Sequence, residues 1–262
     1  MPRGQPAVTL PPPLEKPSTD LDWAESHLQA LYRFDDRGRL VGRAAPGVGP
    51  PPRFHLVRTR LGVIWRFAAD LPDAVVRELA RYAALEPGCA LDADAPPTPP
   101  DRLEPMRRVL EACAPLELVA GGPAFRLPAT LDRASLEELA AGSAVATGAD
   151  DTRLAQWADD LGESVEALRA ALPVAVSLFE GCVVSSCRVA RGDPSGFTEA
   201  GVETRESARG RGHAACCVAA WALAVEGMGG HALYSTAWSN RASRRVAAKL
   251  GYEIYAEDWH FR

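Results

Sequence analysis

The sequence predicts a mixed α/β fold, in which a C-terminal domain follows a smaller α/β N-terminal domain. Phe197–Thr204 has the pattern of a strand and leads through an Arg-Gly-Arg-Gly turn into a long apolar helix. Val174–Phe179 and 182–190 are two strand-like runs joined at Glu180-Gly181, which indicates an antiparallel hairpin. We therefore expect one sheet that contains both parallel and antiparallel strands.

The segment after the Arg-Gly-Arg-Gly turn alternates between helix and strand. Its first helix contains twelve consecutive apolar residues, 214–225, which are too few to cross a bilayer and indicate a buried core helix. The strand that follows is expected to be parallel to Phe197–Thr204 through a right-handed crossover. The predicted elements are a helix over 211–225, a strand over 232–238, a helix capped by Ser239 or Asn240 and ended by Gly251, and a strand over 252–261.

The N-terminal half gives a prediction of architecture only. Residues 1–20 form a proline-rich arm, 21–118 an α/β cap or degenerate domain, and 119–262 the C-terminal domain. Two hairpins are expected, because Asp35-Asp36-Arg37-Gly38 is a favourable turn and a second pair of strand-like runs follows a proline-rich loop. The predicted elements are an amphipathic helix over 21–31, strands over 32–34, 39–41, 54–59 and 63–68, and helices over 73–85, 103–113, 135–141 and 151–172.

The Arg-Gly-Arg-Gly turn is the first candidate for a binding site. Glycines at a corner between a strand and a helix let the backbone approach a ligand and leave N–H groups pointing outward. The N-terminus of the helix adds a partial positive charge at the same place. The turn therefore suits a phosphate or a pyrophosphate.

Two motifs in this region resemble those of the GNAT acyltransferase superfamily. Arg209-Gly210-Arg211-Gly212-His213-Ala214 is similar to the Arg/Gln-x-x-Gly-x-Gly/Ala signature, and residues 240–252 are similar to the Asn-x-x-Ser/Ala…Lys-Leu-Gly-Phe/Tyr segment. The order of strands and helices also matches. The resemblance covers about residues 172–262, roughly a third of the chain.

The same loop satisfies a dinucleotide-binding pattern, Gly210-x-Gly212-x-x-Ala215. That fold requires an acidic residue after the next strand to bind the ribose of NAD, and Trp238-Ser239-Asn240 provides none, although Arg241 would suit NADP. Only about fifty residues follow the loop, which is too few for the further βαβ units. The hairpin before it is antiparallel. The sequence therefore favours the acyltransferase interpretation.

The resemblance implies acetyl-CoA as cofactor and direct transfer of its acetyl group to an amine acceptor, a small molecule or a peptide. Such enzymes place the pyrophosphate on the glycine loop and the pantetheine arm between two parallel strands. A base must deprotonate the amine, and a backbone N–H stabilises the oxyanion. The residues that the resemblance assigns to the cofactor are Thr204, Arg209, Gly210, Arg211, Gly212, His213, Ala214, Asn240 and Ser243.

Glu199 and Glu203 are the candidate catalytic bases. They lie four residues apart in one predicted strand, so a regular pleat places both side chains on the same face of the sheet. Glu199 is preferred because it lies nearer to the position where the superfamily often carries a base. Two solvated charges on a half-exposed strand are the alternative interpretation.

One position departs from the superfamily pattern. A tyrosine commonly stands four residues before the glycine of the Lys-Leu-Gly segment and protonates the thiolate, and here that position is Ala247. Tyr234, Tyr252, Tyr255 or solvent would have to replace it. The alternative function is a catalytically inactive acyl-CoA-binding or regulatory module.

Composition restricts the possible partners. The net charge of −5 disfavours nucleic acid as the main partner, and neither a signal peptide nor a membrane segment is predicted. The six cysteines lack the spacing of metal ligands, so no metal site is expected. These features indicate a reduced, cytoplasmic environment. A homodimer is compatible with the sequence.

Overall fold

The computed structural model describes residues 16–93, 95, 97–128, 132–193 and 196–262. Most of the predicted proline-rich arm lies outside these residues. The helices are α1 (Asp20–Leu31), α2 (Asp73–Ala83), α3 (Leu103–Glu111), α4 (Arg133–Ala140), α5 (Arg153–Leu161), α6 (Val165–Ala170), α7 (His213–Gly227) and α8 (Arg241–Lys249). The strands are β1 (Tyr32–Phe34), β2 (Leu40–Arg43), β3 (Phe54–Thr59), β4 (Gly62–Phe67), β5 (Val119–Arg126), β6 (Ser143–Ala146), β7 (Val174–Phe179), β8 (Cys182–Gly192), β9 (Phe197–Thr204), β10 (His231–Ser235) and β11 (Glu253–Phe261).

Nine strands form one mixed sheet in the order β4-β3-β11-β5-β10-β9-β8-β7-β6, and β1 and β2 form a separate hairpin. β9 and β10 are parallel, and the other described pairs in the sheet are antiparallel. The predicted mixed α/β fold is confirmed. Because β3 pairs with β11, the sheet crosses the boundary predicted between residues 118 and 119. The division into domains stays a prediction.

Helices cover both faces of the sheet. α7 packs on one face, where alternate residues of β9, Ala200 and Val202, join its core. α1 packs on the other face, where Phe197 of the same strand contacts the core around Trp23. Since successive side chains of a strand point to opposite faces, residues 197, 199, 201 and 203 project toward the side of α1. This alternation determines where each candidate glutamate lies.

The central strand β5 was not predicted from the sequence. It contains Gly121-Gly122-Pro123, a combination that indicates a break in a strand. The structure nevertheless places it between β10 and β11. A Cβ on Gly122 would lie 1.6 Å from the carbonyl oxygen of Thr236, so glycine is required where the chain after β10 passes close to β5. The short strand β6 was not predicted either.

Several boundaries differ from prediction for local reasons. The stretch 151–172 contains two helices, α5 and α6, because Gly162 adopts a left-handed conformation (φ 70°) after α5 and Ser164 caps α6. The strand predicted over 232–238 ends at Ser235. Of Ser239 and Asn240, the latter caps α8. No helix within the described residues is long and apolar enough to span a membrane.

Candidate functional site

The Arg-Gly-Arg-Gly turn (residues 209–212), which we call the glycine turn, follows a short 3-10 turn at Glu206–Ala208 and joins β9 to α7. Gly210 (φ 77°) and Gly212 (φ 94°) both adopt left-handed backbone conformations, which favour glycine. Gly212 is the N-cap of α7, and no side chain caps the helix there. The first-turn N–H groups of α7 therefore lack a side-chain acceptor and are available to an anion.

A groove of about 950 Å³ opens beside this turn, and we call it the glycine-turn groove. It runs between the end of β9, the start of α7 and the start of α8. Nine of the eleven candidate site residues line it: Glu203, Thr204, Arg209, Gly210, Gly212, His213, Ala214, Asn240 and Ser243. The lining does not include Glu199 or Arg211.

The lining of the glycine-turn groove carries an excess of positive charge. Four basic residues, Arg205, Arg209, Arg245 and Lys249, face two acidic ones, Asp160 and Glu203. Lys249 lies close to the turn, with its Nζ 3.3 Å from the position of a Cβ on Gly212. We did not identify Arg245 or Lys249 as ligands from the sequence, although Lys249 belongs to the Lys-Leu-Gly segment. The excess charge favours a polyanionic ligand.

Two candidate residues of the turn make contacts with the β7–β8 hairpin. Nδ1 of His213 lies 2.8 Å from the hydroxyl of Ser177. The guanidinium carbon of Arg211 lies 5.8 Å from the ring centre of Phe179, a cation–π contact. These contacts attach the turn to the adjoining strands. Arg211 therefore supports the turn from outside the groove lining.

At the start of α8, the predicted cofactor residues hydrogen-bond within the protein. Oδ1 of Asn240 accepts a hydrogen bond from the N–H of Ser243 at 3.1 Å and so caps the helix. The Ser243 hydroxyl lies 2.5 Å from the hydroxyl of Tyr234, a buried residue that lines the groove. Burial raises the pKa of Tyr234, and the hydrogen bond to Ser243 partly opposes this rise. Tyr234 is therefore a protonated hydroxyl at the groove.

Ala247 is completely buried in the core beneath α7 and α8. A tyrosine at this position would have to displace core side chains before its hydroxyl could reach the groove. Of the three tyrosines considered as substitutes, Tyr234 lines the groove, Tyr252 lies in the core on the α7 face, and Tyr255 lies in the core on the α1 face. Tyr234 is thus the tyrosine best placed to replace the missing one.

Glu199 lies where the parallel strands separate. The ladder between β9 and β10 ends at the pair Glu199 and Leu233. Beyond it, Oε1 of Glu199 accepts hydrogen bonds from the N–H and the hydroxyl of Ser235, at 2.6 and 2.8 Å. Oε2 lies 3.2 Å from Nε2 of His27 on α1, and both side chains are buried. The carboxylate is therefore held at the point of separation by two hydrogen bonds from Ser235 and lies against the imidazole of His27.

Glu203 has a different environment. Its side chain is 70% exposed, and its nearest ion-pair partner is Arg188, at 3.9 Å. The two glutamates share a face of β9, as the spacing predicts, but Glu199 is buried and fixed whereas Glu203 is exposed at the groove.

His27 was not identified from the sequence, because it lies in the N-terminal helix and no local motif marks it.

Histidine and acidic side chains also cluster on the α1 side of the sheet. His55, Asp258 and His260 offer ligand atoms that lie within 4.8 Å of one another. His55 and His260 are directly opposite each other on β3 and β11. Among the described residues, this is the group whose donors could hold a metal ion.

The fold and the glycine turn define a class, the GNAT-like α/β acyltransferase fold. Residues 194–260 match the family model described as FR47-like protein, which is related to the GNAT superfamily. The match covers about a quarter of the chain and contains the glycine turn, α7, β10 and α8. The resemblance predicted for this C-terminal region is therefore confirmed.

Solved structures with similar folds include three GNAT proteins. A tandem GNAT protein from the clavulanic acid biosynthesis pathway is 16% identical, with a TM-score of 0.46 over 95% of this chain and 89% of that one. A GCN5-related N-acetyltransferase-like protein from Streptococcus suis is 19% identical, with a TM-score of 0.45 over 81% and 85%.

A GNAT-family protein from Novosphingobium aromaticivorans is 16% identical, with a TM-score of 0.41 over 56% of this chain, which spans 66% of that protein's length. No curated protein matches the sequence. At these identities and TM-scores the solved structures assign neither a substrate nor a site residue to this chain.

Proposed function

We propose that the protein is an N-acetyltransferase that moves the acetyl group of acetyl-CoA to an amine acceptor, a small molecule or a peptide. The observation that carries this proposal is the positively charged glycine-turn groove. It lies at an uncapped helix N-terminus, beside the point where two parallel strands separate. Features that suit a phosphate and a route into the sheet thus lie side by side, which supports the proposal.

In this proposal the pyrophosphate of CoA binds the first-turn N–H groups of α7. Gly210 and Gly212 allow the backbone to approach it, and Lys249 and Arg245 supply positive charge. The pantetheine arm follows the groove toward the end of the β9–β10 ladder. The thioester would then lie near Glu199 and Ser235, where the strands separate.

Glu199 is the proposed base, and the Ser235 hydroxyl provides a path to it. A neutral amine nitrogen attacks the carbonyl carbon of the thioester, and a backbone N–H of β9 stabilises the oxyanion. The nitrogen's proton passes to the Ser235 hydroxyl as that hydroxyl gives its own proton to Oε1 of Glu199. The C–S bond then breaks, and the thiolate takes a proton from solvent, because the raised pKa of Tyr234 makes its hydroxyl a weaker acid than a thiol.

A non-catalytic acyl-CoA-binding module is the second candidate function. Ala247 favours it, because the position that carries an acid in related enzymes is a buried core alanine. The binding groove would be the same for both functions. Only a measurement of acetyl transfer distinguishes the enzyme from the non-catalytic binding module.

Calorimetric titration with acetyl-CoA tests the shared binding step, with free CoA and NADPH as comparators. We expect micromolar binding of both CoA species and no binding of NADPH. Thioester consumption with a panel of amines then separates enzyme from module. Absence of binding by every CoA species would contradict both candidates.

A further inference from the structure

A second groove, of about 870 Å³, shares no lining residue with the glycine-turn groove. Its wall is formed by β2 and the loop that follows it, by the segments 68–70 and 114–117, and by the ends of β8 and β11. Four arginines line it: Arg43, Arg53, Arg191 and Arg262. We call it the arginine groove.

Two of these arginines donate to backbone carbonyls rather than to carboxylates. Arg53 donates to the carbonyls of Ala114 and Leu110 at 2.8 and 2.9 Å, and Arg43 donates to the carbonyl of Pro50 at 3.1 Å. Nε of Arg191 is buried without a hydrogen-bond partner. Asp70 and Glu117 also line the groove, so the basic residues exceed the acidic ones by four to two.

The positively charged side chains of the arginine groove repel one another. Burial lowers the pKa of Arg43, and repulsion from Arg191 and Arg262 lowers it further, with Tyr32 acting in the opposite direction. Burial and Asp258 raise the pKa of Tyr32, and the same three arginines oppose this rise. Arg43, Arg191 and Arg262 thus place like charges together in the lining of one groove. Such a cluster is unfavourable unless an anion reduces the repulsion.

The backbone fixes the position of Arg191. The N–H of Gly192, its neighbour at the end of β8, donates to the carbonyl of Ala45 at 3.0 Å. The Arg191 side chain packs against the same loop, with Cγ 3.0 Å from the position of a Cβ on Gly47. The loop after β2 and the end of β8 thus hold Arg191 at the groove before any ligand binds. A preorganised guanidinium loses little freedom when it binds an anion.

The histidine cluster next to the arginine groove raises the question of whether a cation or an anion binds in this region. Tyr32 hydrogen-bonds Nδ1 of His55 at 3.0 Å, so the cluster of His55, Asp258 and His260 is close to the arginines. Its donor atoms alone would suit a divalent cation. The three arginines, however, would repel that cation, and Asp258 provides a single negative charge. The surroundings therefore favour an anion.

We propose that the arginine groove binds a phosphate or carboxylate group of a small molecule through Arg43, Arg191 and Arg262. Guanidinium groups match both anions geometrically, because their N–H donors form paired hydrogen bonds to two oxygens. Arg191 lies directly opposite Glu199 in the β8–β9 ladder, so both project from the same face of the sheet. The group belongs either to an acidic acceptor or to a separate effector.

The proposal does not depend on acetyltransferase activity, and its test is a binding measurement. Inorganic phosphate and citrate are titrated into the protein with excess free CoA, which occupies the glycine-turn groove, and again into the Gly212→Glu variant. We expect saturable binding in both. Arg43→Gln and Arg191→Gln should each weaken it about tenfold or more, as expected for loss of a charge-assisted hydrogen-bonding group.

Arg81→Gln is the matched control, because Arg81 is exposed, pairs with Glu78 and lines neither groove. Circular dichroism and thermal unfolding check each variant's fold. Should Arg191→Gln not fold, Arg43→Gln alone carries the test, since Arg43 lies at the end of the short strand β2. Equal phosphate affinity in wild type and a folded Arg43→Gln variant, or no saturable binding in wild type, would overturn the proposal.

A kinetic arm separates the two sources of the group. If the acceptor carries the acidic group, inorganic phosphate competes with the acceptor and raises its KM without changing kcat. If a separate effector carries it, phosphate changes kcat, and the Arg43→Gln variant no longer responds. Both results support the site. Failure of the acetyltransferase proposal would remove this arm but not the binding measurement.

Discussion

The carboxylate of Glu199 and the imidazole of His27 meet in the interior, with Oε2 of Glu199 3.2 Å from Nε2 of His27. The other oxygen, Oε1, accepts both polar groups of Ser235. α1 therefore contributes directly to the point where β9 and β10 separate, although it lies far away in the sequence. A carboxylate held in this way cannot rotate without losing both hydrogen bonds to Ser235. This rigidity suits a group that must accept a proton in one geometry.

The first prediction separates the two candidate bases. Glu199→Gln should lower kcat by about 10²- to 10⁴-fold, the usual contribution of a general base, and leave the Kd for acetyl-CoA unchanged. Glu203→Gln is the matched control from the same strand and should change kcat by less than about threefold, because its side chain is mostly exposed. Steady-state kinetics and calorimetry measure both quantities. Unchanged turnover in the Glu199→Gln, Glu203→Gln double variant would exclude either residue as the base.

The second prediction concerns the phosphate site. Gly212→Glu should abolish measurable CoA binding, because it places a negative side chain beside Lys249 and at the N-terminus of α7. Gly227→Glu makes the same substitution at the other end of α7, where a Cβ meets no atom within 4 Å, and should bind CoA normally.

The positive φ of Gly212 adds strain of about 1–2 kcal/mol in the glutamate variant, so its folding must be verified by thermal unfolding. Lys249→Gln introduces no such strain and should weaken CoA binding about tenfold. Normal CoA affinity in both folded variants would contradict the assignment of the phosphate site.

The third prediction concerns the missing tyrosine. Ala247→Tyr should destabilise the protein by about 3 kcal/mol or more, because an extra ring must enter a fully buried position. Ala248→Tyr, at the exposed neighbouring position, should change the free energy of unfolding by less than about 0.5 kcal/mol. Urea unfolding measures both. A stable Ala247→Tyr variant with raised kcat would instead show that the position accepts a catalytic acid.

The fourth prediction tests the central strand that local sequence rules exclude. Gly122→Ala should prevent folding or lower the melting temperature severely, since its Cβ would lie 1.6 Å from the backbone oxygen of Thr236. Backbone cannot move aside as a flexible side chain can. Gly227→Ala, in open space at the end of α7, is the control and should be neutral or slightly stabilising. Near-wild-type stability of Gly122→Ala would show that the backbone at Gly122 and the carbonyl of Thr236 are farther apart than this distance indicates.

The sequence was informative where a local motif determines the structure. β9, the glycine turn, α7 and a capped start of α8 at Ser239 or Asn240 all follow from residues that are near one another in the chain. β5 could not be predicted, because Gly122 and Pro123 are accepted there only through contacts with β11 and with the chain after β10. His27 and Arg191 were missed for the same reason, since each belongs to its site only when distant strands and α1 come together.

The fifth prediction concerns acid stability and the histidine next to Tyr32. Burial lowers the pKa of His55 to about 3. Repulsion from His260, His27 and Arg43 also lowers this pKa, and Asp258 partly opposes the fall. In the unfolded chain its pKa returns to 6.5. Between these values the unfolded state binds a proton that the folded state does not, so stability falls as the pH falls from about 6.5 toward 3.

His55 should contribute a slope of up to about 1.4 kcal/mol per pH unit in that window. Replacing it with glutamine removes the titrating group while keeping a polar partner for Tyr32. We expect His55→Gln to be less stable than wild type at pH 7 but to lose stability less steeply between pH 6.5 and 4. Urea midpoints across this range measure the two slopes. Parallel slopes would mean that His55 is already protonated in the folded state or remains neutral in the unfolded one.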